Sequence, residues 1–136
     1  MALLTDVISI DWAVIPLRLV LAVIFLVHGY PKLFGKPPTG GTAAVAGFFS
    51  SVGIRPAKFW ALVVGIVEFF GGLCLLVGLL VQPVALLLAI DMMVAIWKVK
   101  FKMGFVGGYE FDAVLFLMAL ALLVLGPGVY SLDLPL

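Results

Sequence analysis

Charge is scarce in this chain of 136 residues: Lys, Arg, Asp and Glu together make up 11%, against 65% hydrophobic residues and a mean hydropathy of +1.36. So few charges cannot coat the water-facing surface of a soluble domain of this length, and lipid is the solvent for most of the surface. With a net charge of +1 and no basic patch interleaved with aromatics, nucleic acid is not an expected partner. Cysteine is nearly absent. Cys74 stands alone in an apolar helix, which leaves no intrachain disulfide, no CxxC redox pair and no thiolate metal cluster. His28 is the one histidine, so a bis-histidine haem within one chain is excluded and a His-rich metal site is not expected. There is no flavin fingerprint. The start "MALLTDVISIDW" lacks the basic region and small-residue cleavage site of a signal peptide and reads as a mature N-terminus.

What is present is long apolar runs. Crossing a bilayer takes roughly 20 residues at about 1.5 Å of helix rise each. Four segments qualify, at about Trp12 to Tyr30, Ala57 to Leu80, Pro83 to Phe101 and Tyr109 to Leu125. Pro16 is expected in the first turn of the first span and Pro83 at the opening of the third, where a missing N–H does little harm. The fourth stops at "GPG". Between the first two spans, "PKLFGKPPTGG" is Pro/Gly punctuation, and "TAAVAGFFSSVG" reads as a short interfacial helix N-capped by Thr42 and held down by Phe48 and Phe49. The short links "VQP" and "KMGFVGG" make neighbouring spans antiparallel. The expected fold is therefore a single all-α membrane domain, an up-down four-helix bundle.

Lys32, Lys36, Arg55 and Lys58 fall around the first loop, and Lys98, Lys100 and Lys102 at the end of the third span. The positive-inside rule places both loops in the cytoplasm and both termini outside. In that frame Arg18 lies about 9 Å, Asp91 about 12 Å and Glu68 about 18 Å in from the outer ends of their helices. Ala61, Gly65, Glu68 and Gly72 share one stripe of the second span, and Arg18, Ala22, Phe25 and Gly29 one stripe of the first. Small residues let a neighbouring backbone approach, so Glu68 points into the protein. His28, Lys98, Trp97, Tyr30, Tyr109 and Glu110 gather near the inner interface. Lys100 and Lys102 read as snorkelling topology signals, and Cys74 as packing.

A charge at the midplane costs about 3 kcal/mol on insertion scales, so an intramembrane carboxylate marks a site by default. The plainer reading is that Arg18 neutralises Asp91 or Glu68 and merely locks the helices. A mid-membrane carboxylate near an arginine, with a histidine and a tyrosine closer to the interface, suits a lipophilic molecule that exchanges protons, such as a quinone. Glu68 and His28 are the candidate catalytic groups; Arg18, Asp91, Trp97, Tyr109 and Glu110 are the candidate ligand contacts. No metal site is expected. Electrons would have to come from a soluble or membrane partner subunit, so whether the chain is itself an enzyme stays open. A non-catalytic anchor for soluble redox partners and a small proton-coupled transporter are the alternatives, and small-residue faces permit a homo-oligomer.

The ordered set "RLVLAVIFLVHGYPKLFG", "FFSSVGIRP", "VEFFGGLCLLVGLL" and "GGYEFDAVLFLMALALLVLGPGVYSLD" resembles the DoxX-like family of four-span membrane proteins, over nearly the whole chain from Arg18 to Asp133. The resemblance implies a relation to the membrane subunit of thiosulfate:quinone oxidoreductase and to membrane oxidoreductase complexes that deal with thiol and oxidative stress. It matches the family's polar positions to Arg18, His28 with Gly29, Lys32, Glu68 with Gly71 and Gly72, and Glu110. Asp91 and Lys98 are not assigned by it.

Overall fold

Apolar sequence that must satisfy its own backbone in lipid becomes helix, and every regular element over residues 10–133, the part described by the computed structural model, is helical. The elements are α1 (Ile10–Phe34), α2 (Thr42–Ser51), α3 (Ala57–Val77), α4 (Val81–Ala95) and α5 (Glu110–Leu125). A π turn at Ile96–Lys100 and a 3₁₀ turn at Phe101–Met103 continue α4, and a second π turn at Phe105–Tyr109 leads into α5. Three helical stretches are long and apolar enough to cross a membrane, α1, α3 and Phe105–Leu125, while α2 is a short apolar helix. The stretch expected to be a mature N-terminus lies outside the described residues except at its end.

Several boundaries differ from the sequence expectation. Helix α1 runs through Pro31 to Phe34, because the Pro31 carbonyl accepts N–H groups from Gly35 at 3.0 Å and Gly41 at 2.9 Å, which ties the helix end to the loop after it. Because the helix is already formed at Ile10, Pro16 sits inside α1 rather than in its first turn, and it removes the N–H that the Trp12 carbonyl would use. Thr42 is the first residue of α2 and not its cap; Gly41 holds that place, with no side-chain cap bond. Helix α3 ends at the left-handed Gly78 (φ 77°), so the turn to α4 is "GLL" rather than "VQP", and Pro83 falls inside the first turn of α4.

That turn forces Leu80 to φ 51°, a left-handed conformation that a branched side chain resists. The chain tail holds it there. The Asp133 carboxylate accepts the N–H groups of Leu80 and, at 2.9 Å, Val81, so an aspartate from the far end of the chain caps α4. Gly78 carbonyl oxygen accepts from Asp133 N–H at 2.9 Å in return.

Helix α1 packs along α3, and α4 along α5. The first pair is in backbone contact at two glycines. A Cβ on Gly29 would lie 2.5 Å from Phe69 N, and one on Gly72 would lie 3.0 Å from the Ala22 carbonyl. Helices α3 and α4 meet where Val84 and Leu88 cover Gly71. Around that level Leu21, Phe25, Leu75, Leu88 and Leu122 form a sealed apolar core with no more than 1% of each exposed. Towards the Lys-rich end, where Val63, Val64 and Val67 of α3 face Leu87, Ile90 and Val94 of α4, the two helices line a cavity between them.

Gly29→Ala drives a methyl group into the backbone of α3, and overpacking of this kind costs about 1–3 kcal/mol. Thermal unfolding in detergent should show a lowered midpoint for it, whereas Gly47→Ala, on the open face of α2 where nothing lies within 4 Å, should leave the midpoint in place or raise it.

Candidate ligand cavity

The stripe that places Glu68 against α1 also determines its partner. Gly29 brings the α1 backbone against Glu68 and Phe69, and Lys32 lies three residues further along α1 on the same face. The Lys32 Nζ donates to Glu68 Oε2 at 2.6 Å, with the Glu68 side chain 3% exposed and the Lys32 side chain 30% exposed. A charge-assisted bond of this length compensates a carboxylate that hydrocarbon alone would not accept. Lysine manages it because its apolar stem lies along the helices while the ammonium reaches inward.

Asp91, from α4, lies beside Glu68, within reach of a hydrogen bond between the two carboxyl groups. Asp112, in the first turn of α5, is buried at 8% exposure, and its ionisable neighbours are Lys100, His28, Lys32 and Glu68. These groups line a cavity of about 1150 Å³. Its walls are apolar: Phe25 from α1, Phe48 and Phe49 from α2, Trp60 and Val64 from α3, Ile90 from α4 and Leu115 from α5. Arg55, Lys98 and Lys100 line it as well, and none of them has an ion-pair partner among the described residues. The arrangement has a charged floor, greasy walls and a basic end, which matches an elongated apolar molecule with a polar head.

The sequence-predicted site residues divide. The structure brings Glu68, His28 and Asp91 to one cavity, with Lys98 on its wall. It does not bring Arg18 there. The guanidinium donates Nε to the Leu75 carbonyl at 3.0 Å, Nη1 to Tyr130 at 2.7 Å and Pro127 at 3.2 Å, and Nη2 to Leu76 at 3.4 Å. Arg18 therefore satisfies the free carbonyls at the C-terminal end of α3 and pins the tail, and the cation facing Glu68 is Lys32 in its place. Trp97 is 69% exposed and belongs to a separate apolar groove of about 310 Å³ with Met93, Ile96, Phe101 and Phe116. In the π turn at Ile96–Lys100, Lys98 and Lys100 line the cavity while Trp97 faces out, with the Lys98 Nζ 4.2 Å from its ring centroid. Tyr109 stacks on Phe101 with ring centroids 5.8 Å apart, and neither it nor Glu110 lines the cavity.

Lys32 and Asp112 are among the charged cavity residues that were not singled out as ligand contacts. Each carried a signal. Asp112, Leu115, Ala119 and Leu122 recur at helical spacing and are the buried residues of α5, which places Asp112 on the inward face and Glu110 beside it. Lys32 continues the Gly29 face. Among the described residues no group of three His, Cys, Asp or Glu side chains is placed to hold a metal ion.

Lipid-facing apolar helices around a cavity with ionisable groups define a small integral membrane protein with an internal polar site. The chain belongs to the DoxX family, whose model matches residues 13–101. It is similar to the "Putative oxidoreductase CatD" of Bacillus subtilis (strain 168), 34% identical over 125 residues that cover 92% of this chain and 87% of that one. It is also 34% identical over 134 residues to the "Uncharacterized membrane protein Rv3486" of Mycobacterium tuberculosis, covering 89% of this chain and 79% of that one. No solved structure matches it significantly.

Arg18→Gln removes charged donors from several carbonyls at once, and a loss of about 3 kcal/mol is expected. Unfolding in detergent should register this as a large fall in the midpoint. Glu110→Gln, outside both the cavity and that network, should unfold like the wild type.

Proposed function

We propose that the chain is the membrane-embedded subunit of an oxidoreductase system and holds a quinone or a similar lipophilic molecule in the cavity. The observation that carries this reading is the cavity itself: about 1150 Å³, walled by phenylalanine, tryptophan and aliphatic side chains and floored by Lys32, Glu68 and Asp91. An isoprenoid-type tail suits the walls, and a head group that takes up and gives off protons suits the floor. His28, Arg55, Lys98 and Lys100 are among the side chains lining the cavity that are able to donate to a head-group carbonyl. The relative named for oxidoreductase activity supports the redox setting. With one cysteine and one histidine the chain has no thiol pair and no bis-histidine haem of its own, and in this reading the electrons come from a partner protein.

In the same reading α4, continued by its π and 3₁₀ turns to Met103, crosses the membrane as the remaining span of an up-down four-span protein. The ends bearing Lys36, Arg55, Lys98, Lys100 and Lys102 face the cytoplasm, and both termini lie outside. Helix α2, too short to cross, lies at the cytoplasmic interface and forms one wall of the cavity.

Native mass spectrometry with lipid extraction, on mildly purified protein beside a Glu68→Gln variant, tests the reading. A quinone carried by the wild type and depleted in the variant is the expected result. Protein that emerges free of quinone in both forms, with the variant changed only in its unfolding midpoint, would make Glu68 a helix-locking residue and the chain an anchor for its partners.

A further inference from the structure

At the floor of the cavity one cation meets two carboxyl groups. Lys32 Nζ is committed to Glu68 Oε2 at 2.6 Å. The Asp91 carboxyl group lies against Glu68 within hydrogen-bond reach, and its Oδ2 is shut off from solvent with no hydrogen-bond partner. The ionisable groups facing Asp91 are Glu68 from α3, Lys32 from α1 and Asp112 from α5, two of them acidic. The cations further along the wall have other neighbours. Lys98 Nζ lies 4.2 Å from the Trp97 ring centroid, Lys100 and His28 are beside Asp112, and Arg55 belongs to the exposed loop between α2 and α3.

Charge counting gives the protonation state. Were both carboxyl groups ionised, Asp91 would set a full charge against another carboxylate, with nothing to solvate its Oδ2. A buried charge without hydrogen bonds costs far more than a buried neutral polar group. Like charges at hydrogen-bond distance do not both ionise, and the contact between two carboxyl groups becomes attractive when they share a proton. That proton belongs on Asp91, because Glu68 holds the ammonium. The orphaned Oδ2 is then the carbonyl oxygen of a neutral acid, which an interior tolerates more readily than half of a carboxylate.

We infer that Asp91 is a protonated acid whose O–H donates to Glu68, so that Lys32, Glu68 and Asp91 form a neutral triad holding one proton, and that this proton is handed to a ligand in the cavity. The hand-over rests on the reading of the cavity as a quinone-type site; the triad does not. A quinone gains two electrons and two protons on reduction. In the triad's step the Asp91 O–H bond breaks, its proton moves through Glu68, and an O–H bond forms on the head group. The electrons come from the reduced partner protein and the second proton from water. Two carboxylates are left facing Lys32 alone, which draws a replacement proton from the end of the cavity lined by His28 and Asp112.

Infrared spectroscopy of the ligand-free full chain in nanodiscs at neutral pH reads the proton directly. A carbonyl stretch of a protonated carboxyl group should be present and should move down in D2O. It should be absent from Asp91→Asn, whose amide still donates to Glu68, and should persist in Asp112→Asn. No such band in the wild type, or one that survives in Asp91→Asn, overturns the triad and leaves the quinone-type reading untouched. Should Asp91→Asn not fold, protein carrying carboxyl-labelled aspartate decides in its place: the band must shift with the label in the wild type and in Asp112→Asn. The hand-over is tested by single-turnover reduction, with dithionite, of a decyl-tailed quinone bound to the same protein. Asp91→Asn should bind the quinone as the wild type does and reduce it about a hundredfold more slowly, the loss of a positioned acid. Equal rates overturn the hand-over. If that variant does not fold, the wild-type rate in D2O replaces it: slower reduction supports the hand-over and an unchanged rate overturns it. If no quinone binds the folded wild type, the quinone-type reading fails and the hand-over with it, whereas the band still decides the triad.

Discussion

The contact between Lys32 and Glu68, 2.6 Å long and closed off from solvent on the glutamate side, is the constraint around which the cavity is organised. A carboxylate buried among apolar helices is tolerated only with a counter-charge, and here the counter-charge reaches it from the last turn of a different helix. That requirement dictates the close approach of α1 and α3, which glycine at 29 and at 72 makes sterically feasible. Once the pair is made, Glu68 Oε2 is occupied and its remaining face looks towards α4. Asp91 and the cavity come next in that direction. The pair thus connects helix packing directly to the chemistry of the site.

The opposite end of the molecule is built to be rigid. Arg18 gathers carbonyls from the end of α3 and from the tail, while Asp133 caps α4 and keeps Leu80 in its left-handed turn. Val129 N–H donates to Asp11 at 3.1 Å, and the rings of Trp12 and Tyr130 lie 5.5 Å apart, so the tail is also fastened to the start of α1. The two ends of the protein therefore divide the work. One is closed by backbone groups and their charged caps, and the other carries the cavity between α3 and α4 with Arg55, Lys98 and Lys100 along it, none of them in an ion pair among the described residues. A charged side chain deep in an apolar helix does not have one meaning: Arg18 serves the backbone, whereas Glu68 faces another side chain and a cavity.

Helix content and the inward faces of α1 and α3 were legible in the sequence because hydropathy and helical spacing act locally. The four residues predicted to share the Glu68 stripe, Ala61, Gly65, Glu68 and Gly72, are all buried. The short α2 was legible for the same reason. Pairing was not. Depth along the helix axis put Arg18 within reach of Asp91 and Glu68, but depth says nothing of azimuth or of the unsatisfied carbonyls at a helix end, and those carbonyls won Arg18. The π turn after Ala95 rotates the residues beyond it, and no simple periodicity announces it, so Trp97 faces away from the cavity that its depth alone suggested. Asp112 was overshadowed by Glu110 although its spacing with Leu115, Ala119 and Leu122 marks the buried face.

A double-mutant cycle on Lys32 and Glu68 tests the central claim most directly. Unfolding free energies would be measured in one detergent for the wild type, Lys32→Met, Glu68→Gln and the double variant. If the pair governs the packing of α1 on α3, Lys32→Met is the most damaging single change, since it strands a buried carboxylate, and the double variant recovers much of the loss. The coupling should then reach about 2 kcal/mol, within the range seen for residues in direct contact. Additive losses, with Lys32→Met as mild as an exposed lysine substitution, would contradict the account and leave Glu68 held by something other than Lys32.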